Sequence, residues 1–123
     1  MPKTILAVDD EESLLRLYER ALSDRGYMIT LANGTTRARA LMGANSYDLL
    51  ITDLMLGDGS GTELIELAAA GNGKTKCILI TGSVKHCEMP LFAEKYGLKG
   101  FFEKPFSIEA LQGLVKEILQ EPA

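Results

Sequence analysis

Long apolar runs are missing from this chain. None of its aliphatic stretches approaches the roughly 18 residues that a bilayer-spanning helix requires, so a membrane role is not expected. Cysteine is scarce: Cys77 and Cys87 are the only two. With no metal-ligand company they make neither a disulfide framework nor a metal site, and they read as free thiols of a reducing cytoplasm. Basic residues are in the minority, 13 Lys and Arg against 17 Asp and Glu, for a net charge of −4, and no stretch forms a basic run. That balance argues against direct nucleic-acid binding through phosphates by this chain. Histidine occurs once, as His86, within an expected loop, and reads as a surface residue. Met1-Pro2-Lys3 runs directly into an apolar strand, so no signal peptide is expected and the location reads as cytoplasmic.

What is present is ordinary in amount and specific in placement. The 123 residues, 46% apolar and 24% charged, fit one globular domain with a real core. Short aliphatic runs each end in a polar residue. Ile5-Leu6-Ala7-Val8 runs into Asp9 and Asp10, and Leu49-Leu50-Ile51-Thr52 into Asp53. Ile78-Leu79-Ile80 runs into Thr81, and Gly100-Phe101-Phe102-Glu103 into Lys104-Pro105. Continuous apolar runs of this length are strands buried on both faces of a parallel sheet. The carboxyl ends of such strands lie on one edge, where ligands bind. Residues as distant in sequence as Asp9 and Lys104 are therefore expected to converge.

Helical periodicity fills the intervals. Leu14, Tyr18, Ala21 and Leu22 form one stripe, with Glu11 and Glu12 in its first turn and Gly26 beyond its end. Tyr27 to Leu31 reads as an edge strand. Asn33-Gly34-Thr35 gives a turn and a cap ahead of a weaker helix bearing Ala38, Leu41 and Met42. Gly57, Gly59 and Gly61 mark a flexible loop around Asp58. Thr62 is the expected cap of a third helix carrying Leu64, Ile65 and Ala68, which ends at Gly71-Asn72-Gly73. A loop from Gly82 to Met89 is followed by a fourth helix over Pro90 to Tyr96, with the proline in its first turn. Ser107 caps a fifth, striped by Ile108, Leu111, Leu114, Val115, Ile118 and Leu119, which ends near residue 120 ahead of a short tail. Five strand–helix units over residues 1–123 predict a single doubly wound α/β domain.

The expected edge brings together Asp9, Asp10 and Asp53 with Thr81 and Lys104. Each has a plain reading alone: a helix N-terminal acidic pair, a loop-capping aspartate, a strand-end threonine, a solvated lysine. Four such coincidences at four strand ends are a poor account of the pattern. Clustered carboxylates repel and raise one another's pKa, and a hard cation such as Mg²⁺ relieves this with oxygen ligands. A carboxylate can also serve as a nucleophile toward phosphorus. Phosphoryl transfer needs mainly positioning and charge neutralisation.

These residues, in this order, resemble the response-regulator receiver domain, the phosphoacceptor module of two-component signalling, over essentially the whole chain. The matching positions are Asp9-Asp10, Asp53 within Asp53-Leu54-Met55-Leu56-Gly57-Asp58-Gly59-Ser60-Gly61, Thr81-Gly82 and Lys104-Pro105-Phe106. The resemblance implies a flavodoxin-like five-stranded parallel sheet of order 2-1-3-4-5 with five helices. It implies Asp53 as the acceptor of a phosphoryl group from a sensor histidine kinase or histidine phosphotransfer protein. It implies Mg²⁺ held by Asp10, Asp53 and the backbone carbonyl of Met55, with Asp9 acting through water. Lys104 would pair with phosphoryl oxygens and precede a cis bond to Pro105. Thr81 and Phe101 would be switch residues that reshape the face of the fourth helix, fifth strand and fifth helix, for an effector domain or a homodimer. Lys95, Lys99, Glu103 and Glu109 are available there for cross-subunit pairs. Met55 and Ser83 lie at positions that modulate loss of the phosphoryl group.

The chain departs from the family pattern at Leu56-Gly57, where Met-Pro is common, and at Phe101, often tyrosine. Glycine removes a rigid turn and loosens the loop; phenylalanine can change rotamer but offers no hydroxyl. A metal-dependent aspartyl phosphatase is disfavoured by Met55, where a second acid is wanted, and by the lack of room for a cap domain. A flavin carrier is disfavoured by Asp9-Asp10-Glu11-Glu12, which would repel a phosphate. A degenerate receiver that only mediates contacts is the remaining alternative. The expectation is a stoichiometric phosphoacceptor, not a turnover enzyme on an external substrate.

Overall fold

In the computed structural model, which describes residues 2–71, 74–82 and 89–120, apolar runs and helical stripes alternate as the patterning predicts. The order is β1 (Thr4–Val8), α1 (Glu12–Ser23), β2 (Met28–Ala32), α2 (Thr35–Ala44) and β3 (Leu49–Asp53), then a small hairpin of β4 (Met55–Leu56) and β5 (Gly59–Ser60). There follow α3 (Gly61–Ala70), β6 (Lys76–Thr81), α4 (Met89–Tyr96), β7 (Gly100–Glu103) and α5 (Ile108–Leu119). The main sheet has the order β2-β1-β3-β6-β7 and every pairing in it is parallel. Counting only the strands of this sheet, that is the 2-1-3-4-5 order.

Side-chain alternation along each strand builds two cores. Ile5, Ala7, Leu49, Ile51, Ile78 and Ile80 face α1 and α5, meeting Leu15, Tyr18, Leu22, Leu111 and Val115. Leu6, Val8, Leu50 and Leu79 face the other way, onto Ala38 of α2 and Leu64, Ile65 and Ala68 of α3. Both faces of the central strands are covered, so β1, β3 and β6 read as unbroken apolar runs. β2 and β7 are the edges and are less buried. The chain leaves β1 toward β2 on one side and returns to β3 on the other. The crevice at the carboxyl ends of β1 and β3 is the topological switch point of such a sheet.

Several local expectations are corrected. The α1 stripe includes Leu15, fully in the core, while Leu14 is only half-buried. Ser60, not Thr62, is the N-cap of α3, its Oγ accepting from the Thr62 amide at 3.2 Å. α4 begins at Met89, one residue ahead of the expected proline. The glycine-rich loop is an ordered hairpin, with Met55 opposite Ser60 and Leu56 opposite Gly59. None of Gly57, Gly59 and Gly61 has a positive φ; Gly26 (φ 89°) and Gly97 (φ 65°), each just past a helix, do. Ser107 caps α5 as expected, accepting from the Ala110 amide at 3.2 Å. His86, Cys87, Ser83, Asn72, Gly73, the 82–89 loop and the tail after 120 fall wholly or mainly outside the described residues.

Candidate functional site

The site is assembled where β1, β3, β6 and β7 end. Asp9 follows β1 and is fully buried; its Oδ1 accepts from the Glu11 amide at 2.9 Å, a turn that starts α1. Asp10 next to it is exposed. Asp53, the last residue of β3, keeps 7% exposure. One oxygen from each of Asp9, Asp10 and Asp53 lies within 4.8 Å of the others. Thr81 closes β6 and is fully buried. Its carbonyl accepts from the Lys104 amide at 3.1 Å, which ties the ends of β6 and β7 together. The Lys104–Pro105 peptide is cis.

Lys104 reaches into the acidic group. Its Nζ donates to Asp53 Oδ2 at 2.9 Å and stands 3.1 Å from Asp9 Oδ2 and 3.4 Å from Glu11 Oε1. Burial alone would lower the lysine's pKa, but its contacts with Asp53 and Asp9 outweigh this and hold it above the ordinary value. Asp9 is pushed the other way from a comfortable carboxylate. Burial raises its pKa first, and the neighbouring Asp53 charge adds to that, against the opposing Glu11 amide and Lys104. One ammonium thus faces several carboxylates, and negative charge remains in excess. The donor set is all oxygen, and one of its buried carboxylate oxygens, Asp9 Oδ2, has no hydrogen-bond partner beyond its ion pair with Lys104. Such a cluster fits a hard divalent cation such as Mg²⁺.

The hairpin beyond Asp53 is held from two directions. The Gly61 amide donates to the Leu54 carbonyl at 2.7 Å. A Cβ at Gly61 would run into the Asp53 carbonyl oxygen, so only glycine lets α3 start this close to the strand. On the other side, Asp58 accepts from the Thr35 amide at 2.7 Å and the Thr36 amide at 3.0 Å. The N-cap of α2 is Gly34, which has no side chain to offer, and Asp58 supplies the missing acceptor from across the fold. These two amides hold the Asp58 carboxyl well below the usual carboxylate range. The loosening expected from Gly57 is thereby offset.

Sequence reasoning named Asp9, Asp10, Asp53, Thr81 and Lys104, and the fold brings these together. Phe101 is half-buried and packs against the α2–α3 core. Phe102 and Phe106 pack against the α1–α5 core. Two further participants lie outside the sequence reading. Glu11 was read as a first-turn residue, yet it is a third carboxylate on Lys104. Asp58 was read as a loop residue, although a helix starting at Asn33-Gly34 with no capping side chain signals a remote acceptor.

Comparison with known proteins agrees with this geometry. The family model described as the response regulator receiver domain matches residues 5–116, and the chain belongs to that family. Its fold is that of the crystal structure of a response regulator receiver domain protein (CheY-like) from Methanospirillum hungatei JF-1, 29% identical, with a TM-score of 0.89 over 98% of this chain and 95% of that one. The acid tolerance regulatory protein ActR of Sinorhizobium medicae is 28% identical over 98% of this chain and 60% of its own length. The transcriptional regulatory protein CusR of Escherichia coli K12 is 26% identical over 97% of this chain and 52% of its own. The chain spans about half the length of these curated relatives. Among the described residues no helix is long and apolar enough to cross a membrane.

Proposed function

We propose that this receiver domain accepts a phosphoryl group on Asp53 from a phosphohistidine of a sensor histidine kinase or histidine phosphotransfer protein. The observation that carries the reading is Lys104 Nζ held 2.9 Å from Asp53 Oδ2, inside a pocket shared with Asp9 and Asp10. An Asp53 carboxylate oxygen forms the new P–O bond as the P–N bond breaks, and the electron pair leaves on the imidazole nitrogen, which takes up a proton. Lys104 exchanges part of its contact with Asp53 for the phosphoryl oxygens. Asp10, Asp53 and the Met55 carbonyl are the residues to hold Mg²⁺, with Asp9 acting through water; bound there, the cation would neutralise charge on the transferring group. The domain acts once per phosphoryl group and is not a turnover enzyme on an external substrate.

The Thr81 hydroxyl turns toward the phosphoryl group and Phe101 follows it, changing the α4–β7–α5 face for a partner. Leu91 on α4 is 72% exposed, an apolar contact available to a partner. Relatives named transcriptional regulators suggest an effector domain as the receiver of the signal; a second copy of this chain is the other candidate for this face.

Intact-protein mass spectrometry after incubation with acetyl phosphate tests the reading. A single Mg²⁺-dependent phosphoryl adduct, lost in Asp53→Asn while the circular dichroism spectrum is unchanged, is the expected result. An adduct retained on Asp53→Asn refutes the assignment. A folded wild type without any adduct favours the contact-only receiver instead.

A further inference from the structure

The amino ends of the parallel strands, on the edge of the sheet opposite the acidic pocket, border a cavity of about 600 Å³. Lys3 precedes β1, Asp48 precedes β3 and Lys99 precedes β7, while Lys74 stands just ahead of β6 and Lys76 begins it. All five line the cavity. β1, β3, β6 and β7 are successive neighbours in the sheet, and neighbouring strands lie roughly 4.8 Å apart. Backbone bonds hold these strand starts in register. The Asp48 amide donates to the Thr4 carbonyl at 3.0 Å, the Lys76 amide to the Asp48 carbonyl at 3.1 Å, and the Lys99 amide to the Cys77 carbonyl at 2.9 Å. Lysines far apart in the chain therefore share one cavity, although the sequence has no basic run.

The charge of this cavity runs against that of the whole chain. The chain carries a net −4, yet four lysines and a single carboxylate line this one space. That carboxylate is engaged on the β1 side, where Asp48 Oδ2 accepts from the Thr4 amide at 2.8 Å and the Thr4 hydroxyl at 3.2 Å. Lys76 Nζ donates to the Ile118 carbonyl at 3.1 Å, which fixes its ammonium beside the end of α5. Like charges gathered in one place repel, and an anion with several charges offsets that repulsion. Ile65, Tyr96 and Leu119 add apolar wall to the same cavity. Its volume falls within the roughly 300–1,000 Å³ of small-molecule sites.

We propose that this cavity binds an organic polyphosphate of the nucleotide class, with its phosphate oxygens on the lysines and its ring system on the apolar wall. Lysine binds phosphate as a compact point charge with three donors, and so serves several phosphate oxygens without a fixed fork geometry. The site is separate from the phosphoacceptor pocket: the two lie at opposite ends of the strands and carry opposite charge. The inference does not depend on the reading of Asp53. Without a bound cation the acidic pocket repels a polyphosphate, so the two sites are told apart by working free of metal.

Titration calorimetry of the metal-free protein with adenosine triphosphate is the test. Binding is expected, together with a melting temperature that rises with ligand concentration. Lys74→Glu and Lys99→Glu are each expected to weaken binding about tenfold. Both side chains are exposed, so both variants are expected to fold, which circular dichroism checks. Arg20→Glu makes the same change of net charge on α1, outside the cavity, and is expected to leave the affinity unchanged. Equal weakening by Arg20→Glu assigns the binding to general charge attraction and overturns the site. Amide NMR shifts on binding are expected at Cys77, Lys99 and Gly100; shifts centred on Asp9, Asp10 and Thr81 place the ligand at the acidic edge and overturn it too. Inorganic triphosphate separates the two sources of the same chemistry. Weaker binding than adenosine triphosphate supports the nucleotide class, and equal binding overturns it in favour of inorganic polyphosphate. Adenosine binding as tightly as its triphosphate, or no binding of the triphosphate at millimolar concentration, overturns the proposal as a whole.

Discussion

Asp9 and Asp58 are the same side chain in two neighbouring regions, and their surroundings push them in opposite directions. Asp9 is sealed under the strand ends, where burial and the Asp53 charge raise its pKa against the Glu11 amide and Lys104. Asp58 is on the surface hairpin, where two helix-terminal amides lower it. Burial without enough donors leaves a carboxylate in tension; donors without burial settle it. The first region is therefore poised for a cation or a phosphoryl group, and the second fixes the frame that holds Asp53. Gly61 joins the two, since its closeness to the Asp53 carbonyl sets how α3 and the hairpin meet β3.

The sharpest way to break this division is Gly61→Ala. The added methyl collides with the Asp53 carbonyl, and about 3 kcal/mol of stability is expected to be lost. Urea unfolding measures the loss, and phosphoryl uptake should fall with it because the strand end shifts. Lys104→Ala comes next. It leaves the Asp9 and Asp53 carboxylates without their cation and should cost the metal-free protein about 2 kcal/mol. Mg²⁺ should recover part of that cost, since it binds the folded cluster preferentially. Calorimetric melting with and without metal checks both statements.

Asp9→Asn should act in the other direction. It removes the buried charge while keeping an oxygen for the Glu11 amide, so the metal-free protein should melt a few degrees higher, at about 4 °C per kcal/mol for a domain of this size. Its sign follows from linkage. A carboxyl whose folded pKa is raised favours the fold below its unfolded value, and this benefit is lost as pH rises through the folded value. The gain from Asp9→Asn should therefore be full at neutral pH and fade on acidification toward the ordinary aspartate range. Asp58→Ala should give the smallest effect, a modest fall in melting temperature that Mg²⁺ does not change. Here the folded pKa is lowered, so the wild-type advantage is present above the ordinary aspartate value and disappears as pH falls below it. Opposite pH trends for these two variants, followed by thermal melts across pH, are the direct check of the comparison.

Much of this was legible in the linear chain because burial on both sheet faces writes continuous apolar runs, and the polar residue that ends each run marks the binding edge. Ile5–Val8 into Asp9 and Leu49–Thr52 into Asp53 are the clearest cases, and both strands are buried along their length. The loop after Asp53 was misjudged. Three glycines spell freedom locally, yet pairing of Met55 with Ser60 and of Leu56 with Gly59, with Asp58 anchored on α2, orders it.

By itself the sequence determined the alternation of strands and helices, the five residues of the acidic pocket and the family, because each depends on local period or on residue type at a strand end. Tertiary structure decided what depends on neighbours far apart in the chain. It chose Asp58 as the cap of α2 and put Glu11 on Lys104. A hydrogen bond or ion pair needs two groups within a few ångströms, and only the closed sheet and its packed helices bring these together.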